Sequence, residues 1–192
     1  MRYFLINKPF GTLSQFTREL PEHRTLADLY DFPAGVYPVG RLDRDSEGLL
    51  ILTDDKRLNH RLLDPTYGHA RTYWVQVEGD PSRDTLRALA DGPPIRIKGK
   101  EHASLPVGVE VIAPALPPRD PPIRVRREIP DTWLALTLRE GKNRQVRRMC
   151  AAVGCPVLRL VRYGIEDLTL DDLAGQQVRE VSVDYLRPRL RL

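Results

Sequence analysis

Several things are scarce in these 192 residues, and each scarcity closes off a class of protein. There are two cysteines, Cys150 and Cys155, with four residues between them and no histidine nearby. Neither a zinc site nor a disulfide scaffold is supported, and buried reduced thiols are the expected state. The four histidines (His23, His60, His69, His102) are scattered and are assigned no chemistry. No apolar run approaches the ~20 residues of a membrane span, and the stretch at residues 1–9 is too short for a secretory signal. A phosphate-cradling glycine loop and a dinucleotide fingerprint are also missing. The expectation is a cytoplasmic protein with no metal, no cofactor and no membrane partner.

What is present is a globular composition, 41% hydrophobic, in a chain long enough to bury a substantial core as one domain or one domain with two lobes. Thirty Lys and Arg stand against 26 Asp and Glu, a formal charge of +4 that is mild in total and uneven in placement. Between residues 139 and 162 lie seven cations (Arg139, Lys142, Arg144, Arg147, Arg148, Arg159, Arg162) and one acid, Glu140. Three more arginines follow at 187, 189 and 191. Arginine predominates over lysine in the first group, which suits the bidentate geometry of phosphate.

The pattern along the chain mixes strands and helices without a repeat. Residues 3–7 read as a strand, and 25–30 as a short helix opened by the Thr25 cap. Leu49-Leu50-Ile51-Leu52 reads as a buried strand. Asp54 is placed to cap a helix ending at Leu63, because Pro65 disfavours helix at Asp64. Residues 71–78 alternate as a half-buried strand, and 82–90 form a helix stopped by Gly92-Pro93-Pro94. Val107, Val109 and Val111 alternate as a strand, and the five prolines between 113 and 122 impose an irregular connection. Residues 123–127 and 132–140 are expected to pair as a hairpin around 128–131. A helix over 143–153 then places Arg144, Arg147 and Arg148 within a turn of one another, Gly154-Cys155-Pro156 closes it, and a strand follows over 157–163. This order predicts an α+β fold around a mixed, largely antiparallel central sheet with flanking helices.

The densest chemistry is at residues 40–50, GRLDRDSEGLL, where three carboxylates, two arginines and two glycines precede the apolar run. Asp43 lies between Arg41 and Arg44, a setting that favours an ionised carboxylate, and is the candidate nucleophile. Asp43, Asp45, Glu47, Gly48 and Asp54 also fall at positions 1, 3, 5, 6 and 12 of a calcium loop. The match fails on the Glu at position 5, the short Asp at 12, the apolar Ile51 at 9, and the prolines and glycines where an entering helix belongs. Paired-carboxylate hydrolysis by Asp43 with Asp45 or Glu47 lacks a neighbouring cluster of aromatics to stack on a sugar. Taken alone, the loop reads as a solvated cluster of salt bridges.

Four segments change that reading: Asn7-Lys8-Pro9 after the first strand, GRLDRDSEGLLILTDD from Gly40, Arg71-Thr72-Tyr73, and EGKNRQVRRM from Glu140. Together, over residues 3 to about 165, they resemble the RsuA/RluA-type pseudouridine synthases. The resemblance implies a two-lobed catalytic fold with the active site in a cleft between the lobes. It implies isomerisation of a uridine in ribosomal RNA, of the large subunit, without a cofactor. Asp43 matches the family's required nucleophile, Tyr73 the tyrosine that stacks on the flipped uracil, and Arg147 the cation that pairs with the catalytic carboxylate. Arg41 matches a residue that helps fill the gap left by the extruded nucleotide. Arg44, Lys142, Arg144 and Arg148 are expected on the RNA backbone, and Lys8 in a supporting role near the site.

Many relatives carry an S4-type RNA-binding domain before the catalytic one, whereas here residue 1 leads directly into the first strand, so a single catalytic domain over 1–192 is expected. Ser46 and Arg71 stand where the family commonly has threonine and lysine, and both keep the relevant hydroxyl or charge. The partner is ribosomal RNA and the expected state a monomer. The alternative is an RNA-binding ribosome-assembly factor on the same fold without turnover. Tyr73 and Trp74, as strand neighbours, point to opposite faces, so at most one of them serves the site.

Overall fold

The computed structural model describes every residue from Met1 to Leu192 except Arg124, Val125 and Arg127. The chain runs β1 (Tyr3–Lys8), β2 (Tyr37–Pro38), β3 (Glu47–Thr53), α1 (Lys56–Leu63), β4 (Arg71–Glu78), α2 (Arg83–Ala90), β5 (Ile95–Ile97) and β6 (Lys100–His102). It continues through β7 (Gly108–Ile112), β8 (Asp131–Leu138), α3 (Gln145–Ala152), β9 (Val157–Ile165), β10 (Leu168–Thr169), β11 (Val178–Val181) and α4 (Val183–Arg189). Two compact units form: Met1–His69 with Val161–Leu192, and Ala70–Leu160. β1 pairs antiparallel with β11 and β3, β8 antiparallel with β4 and β7, and β3 parallel with β9, so the α+β class with a mixed, largely antiparallel sheet holds.

In the first unit the order is β11-β1-β3-β9, with β2 on β3 and β10 on β9. The continuous apolar run of β3 has a direct cause: Leu49, Leu50, Ile51 and Leu52 are all fully buried, so both faces of the strand are covered. Leu49 and Ile51 join Leu5, Leu58, Leu62, Leu168 and Leu186 in one core. On the other face Phe4 packs edge-on to Phe32 at 5.3 Å between ring centroids, and Phe32 meets Phe16 at 5.7 Å. Each buried leucine contributes about 1.5–3 kcal/mol of transfer free energy. The cap of α1 is Asp55 instead of the expected Asp54: its carboxylate accepts from the backbone N–H of Arg57 and Leu58. Asp54 instead accepts from the backbone N–H of Arg2. At 25–30 the structure forms only a single 3-10 turn, Leu26–Asp28, with Asp28 Oδ2 accepting from Thr25 N.

In the second unit β4, β8 and β7 are neighbours, with β4 and β8 paired along their full length from Arg71↔Leu138 to Glu78↔Asp131. Val75, Val77, Leu134, Leu136 and Leu138 face a core completed by Leu89 of α2 and by Val146, Met149 and Cys150 of α3. Both cysteines are free and buried, and burial pushes the Cys150 thiol up to about 12.

Among the described residues the expected hairpin of 123–127 with 132–140 is not seen. Ile123 and Arg126 are not in a strand, while Arg124, Val125 and Arg127 lie outside the described residues. β8 has β4 on one side and β7 on the other, so both its edges are occupied by more distant segments. Residues 113–122 are irregular, as their prolines require.

Candidate functional site

Loop 40–47 in the first unit is held by backbone anchors on both sides. Ser14 clasps the buried Leu42 twice, its Oγ donating to Leu42 O at 2.8 Å and accepting from Leu42 N at 3.1 Å. Gly11 N donates to Arg44 O at 2.8 Å, and Ser46 N to Asp43 O at 3.0 Å, closing a turn at Asp43. The loop enters β3 at Gly48, whose φ of +107° and close approach to β9 admit only glycine. A Cβ there would lie 2.3 Å from the carbonyl oxygen of Arg162. Asp43 is thereby fixed at the lip of a strand whose side chains from Leu49 to Leu52 are wholly buried.

The cation that the structure places close to this loop is Lys8. Its side chain is fully buried, and Nζ donates to Thr12 O at 2.7 Å and Pro9 O at 3.1 Å. Burial pulls the ammonium down to about 8, against the opposing pull of Glu47, Asp45 and Asp43. A second buried cation, Arg162, donates from Nε to Leu49 O at 2.7 Å. Arg41 is exposed, and Arg44, also exposed, gives its Nε to Gly11 O at 3.3 Å. Arg162 went unassigned in the sequence because nothing local distinguishes an arginine that ends buried in a strand. Lys8 was visible through Asn7-Lys8-Pro9, but not its burial close to the carboxylates.

Tyr73 and Arg147 belong to the second unit. Tyr73, opposite Leu136 on β8, shares the face of Val75 and Val77, and its half-buried ring packs on their core. Arg147 lies half-buried in the first turn of α3. The helix begins at Gln145, two residues later than expected, because Arg144 sits in the left-handed region with φ +51°. Arg144 and Lys142 are exposed. Arg148 is largely engaged: its guanidinium donates to Asn143 O at 3.1 Å, Arg96 O at 2.6 Å and Asn143 Oδ1 at 3.3 Å.

Loop 139–144 is organised by a part-buried acid, Glu140. Glu140 accepts from Leu105 N at 2.8 Å and from the Gln145 amide at 2.5 Å, and meets His102 Nε2 at 3.1 Å. Burial alone would raise its carboxyl, but these donors outweigh it and hold the group below the usual carboxylate range. Gln145 Oε1 in turn accepts from Lys142 N at 2.9 Å. The one acid among the seven cations is thus taken up by hydrogen bonds from within the second unit. The first unit therefore presents carboxylates beside buried cations, and the second presents cations flanking a part-buried carboxylate.

The family model of the RNA pseudouridylate synthases matches residues 2–152. The chain is 53% identical over 187 residues to a ribosomal large subunit pseudouridine synthase E of Xanthomonas axonopodis pv. citri, covering 96% of each. It is 49% identical to the protein of the same name from Vibrio parahaemolyticus, covering 95% of this chain and 74% of that one. Among solved structures, a crystal structure of a pseudouridylate synthase superposes with a TM-score of 0.78 at 28% identity, covering 98% of this chain and 73% of that one. With the match running from β1 through α3, and the relatives aligning over nearly the whole sequence, the chain belongs to the RNA pseudouridylate synthase family.

Proposed function

We propose that this protein isomerises a uridine of large-subunit ribosomal RNA to pseudouridine, acting as a monomer in the cytoplasm. The observation that carries this reading is the full-length likeness to synthases named for the large subunit, at 53% and 49% identity. No described helix is long and apolar enough to cross a membrane.

In the proposed mechanism the target base leaves the stack, at a cost of a few kcal/mol, about 1–3 kcal/mol of which is returned by stacking on the Tyr73 ring. Asp43 supplies the attacking carboxylate, and Arg147 is the cation assigned to keep it ionised. The bond between N1 and C1′ breaks, the uracil turns, and C5 joins C1′. The proton lost from C5 is balanced by the one gained at N1, so no redox carrier or group donor enters the reaction. Attack at C1′ and addition to C6 both satisfy this balance. Arg41, Arg44, Lys142 and Arg144 engage the RNA, with Arg148 contributing the donors left over from its protein bonds.

Support for Asp43 comes from its anchorage: a nucleophile must be held within tenths of an ångström, and the loop bearing it is tied to Ser14, Gly11 and β3. The test is single-turnover conversion of transcribed large-subunit RNA, read by carbodiimide labelling and reverse-transcription stops. Asp43→Asn is expected to lower the rate by more than about a thousandfold while leaving RNA affinity within about threefold. Retained turnover would remove Asp43 from the nucleophile role. RNA binding without any new stop in the wild type would identify an assembly factor instead.

A further inference from the structure

Residues 95–102, Ile-Arg-Ile-Lys-Gly-Lys-Glu-His, form the two-stranded β5–β6 hairpin. Its register pairs Ile95 with His102, Arg96 with Glu101 and Ile97 with Lys100. The two-residue turn, Lys98-Gly99, has both φ angles positive, +49° and +79°, the conformation that matches the twist of a tight hairpin. Ile95 and Ile97 turn toward the core of the second unit, leaving Arg96, Lys98 and Lys100 exposed. Glu101 is the hairpin's one acid.

Both strands are fastened to the basic loop and helix that follow β8. Arg148 bridges Arg96 O to Asn143, and His102 meets Glu140, whose other oxygen takes the N–H of Leu105. A two-stranded hairpin alone is marginal in water, so these ties give it its rigidity. They also set its three cations beside Lys142 and Arg144, whose neighbour Glu140 is turned to Leu105, Gln145 and His102. Five exposed cations on two adjoining elements, against the single exposed Glu101, form a surface complementary to a polyanion, and fastening them in advance lowers the ordering cost of binding.

We propose that the β5–β6 hairpin is a second RNA-backbone contact, with Arg96, Lys98 and Lys100 on phosphates adjoining those engaged by Lys142 and Arg144. Arg148 is a positioning residue that holds the hairpin against α3. The inference rests on the reading of RNA as substrate and extends it to where the RNA lies.

The test measures affinity for a transcribed large-subunit RNA across a salt series, together with the single-turnover rate at saturating enzyme. Arg96→Gln/Lys98→Gln/Lys100→Gln is expected to weaken binding about ten- to a hundredfold near physiological salt. It should make the slope of log affinity against log salt shallower by about two, and leave the saturating rate within about twofold. Lys98→Gln/Lys100→Gln, which spares Arg96, should show the same effects in smaller measure. Removing three exposed charges from α1, in Lys56→Gln/Arg57→Gln/Arg61→Gln, should leave the slope unchanged. Arg148→Lys keeps the charge but cannot reach Asn143 and Arg96 together, so amide exchange in the hairpin should speed up while the salt slope stays near wild type. Slopes for the hairpin variants equal to that of the α1 variant would overturn the proposal, as would a fall in the saturating rate with affinity intact. A wild type that neither converts nor binds RNA would instead overturn the proposed function beneath it.

Discussion

The acidic loop of the first unit and the basic loop of the second follow one plan with the signs exchanged. At 40–47 the carboxylates of Asp43, Asp45 and Glu47 lie close to Lys8, which is buried and bonded only to the carbonyls of Pro9 and Thr12. At 139–144 the cations flank Glu140, which is part-buried and held by a backbone N–H, an amide and an imidazole. In each case uncharged groups supply most or all of the hydrogen bonds to the ion, so its charge is not cancelled by a single salt bridge and acts on the loop. Like charges assemble on a surface loop at reduced cost when one opposite charge is fixed close to them. The difference lies in what anchors the backbone: the acidic loop runs into its buried strand through Gly48, a glycine without room, whereas the basic loop enters its helix through Arg144 and carries at Gly141 a glycine with nothing near it.

That contrast can be broken most directly at the two glycines. Gly48→Ala places a methyl 2.3 Å from Arg162 O at φ +107°, and is expected to cost about 3–5 kcal/mol in denaturant unfolding. Gly141→Ala meets nothing within 4 Å and should change stability by less than about 0.5 kcal/mol. Equal effects would show that the loops are anchored alike.

A smaller effect is expected at the part-buried acid. Glu140→Gln keeps an acceptor for Leu105 N but loses the charge, and should cost about 1–2 kcal/mol at neutral pH. The Glu140 carboxyl is held low in the folded state, so its contribution is present above the ordinary carboxyl range and fades as pH falls through the folded value. The stability gap between wild type and Glu140→Gln should therefore close on acidification, and a gap constant down to about pH 3 would contradict this account.

The smallest signal belongs to Lys8, where stability also rises with pH but in a higher window and because the fold disfavours the charged form. With the folded ammonium near 8 and an unfolded lysine near ~10.4, the unfolded chain binds the extra proton between those values. Stability from this group therefore rises with pH across that window. The stability of wild type minus that of Lys8→Met, measured by denaturation at several pH values, should increase over the window, and a flat difference would place the lysine outside the interior.

Local pattern was enough for the elements whose environment repeats along the chain. The strand over 71–78 coincides with β4 because its alternation records one buried and one half-open face, and the run at 49–52 announced a strand covered on both faces. Residues 95–102 carried no such signal, since three-residue strands are too short to show a period. The C-terminal strand β11 was equally silent, its partner β1 lying more than 170 residues earlier. At the candidate site, Asp43, Tyr73 and Arg147 were legible through motif resemblance. The engagement of Arg148 with Arg96 was not, because a hydrogen bond spanning 52 residues leaves no trace in composition or spacing.

By itself the sequence determined the fold class, the family, the loop that carries the candidate nucleophile and the concentration of cations after Gly141, all properties written in neighbouring residues. Only the tertiary structure decided which charges are buried, that Lys8 is buried close to the carboxylates and Glu140 tied to Leu105, Gln145 and His102, and that a short hairpin stands beside the basic loop. Burial and the partners of a charged group are set by segments distant in the chain, and the free energy of a charge depends on those surroundings far more than on its sequence neighbours.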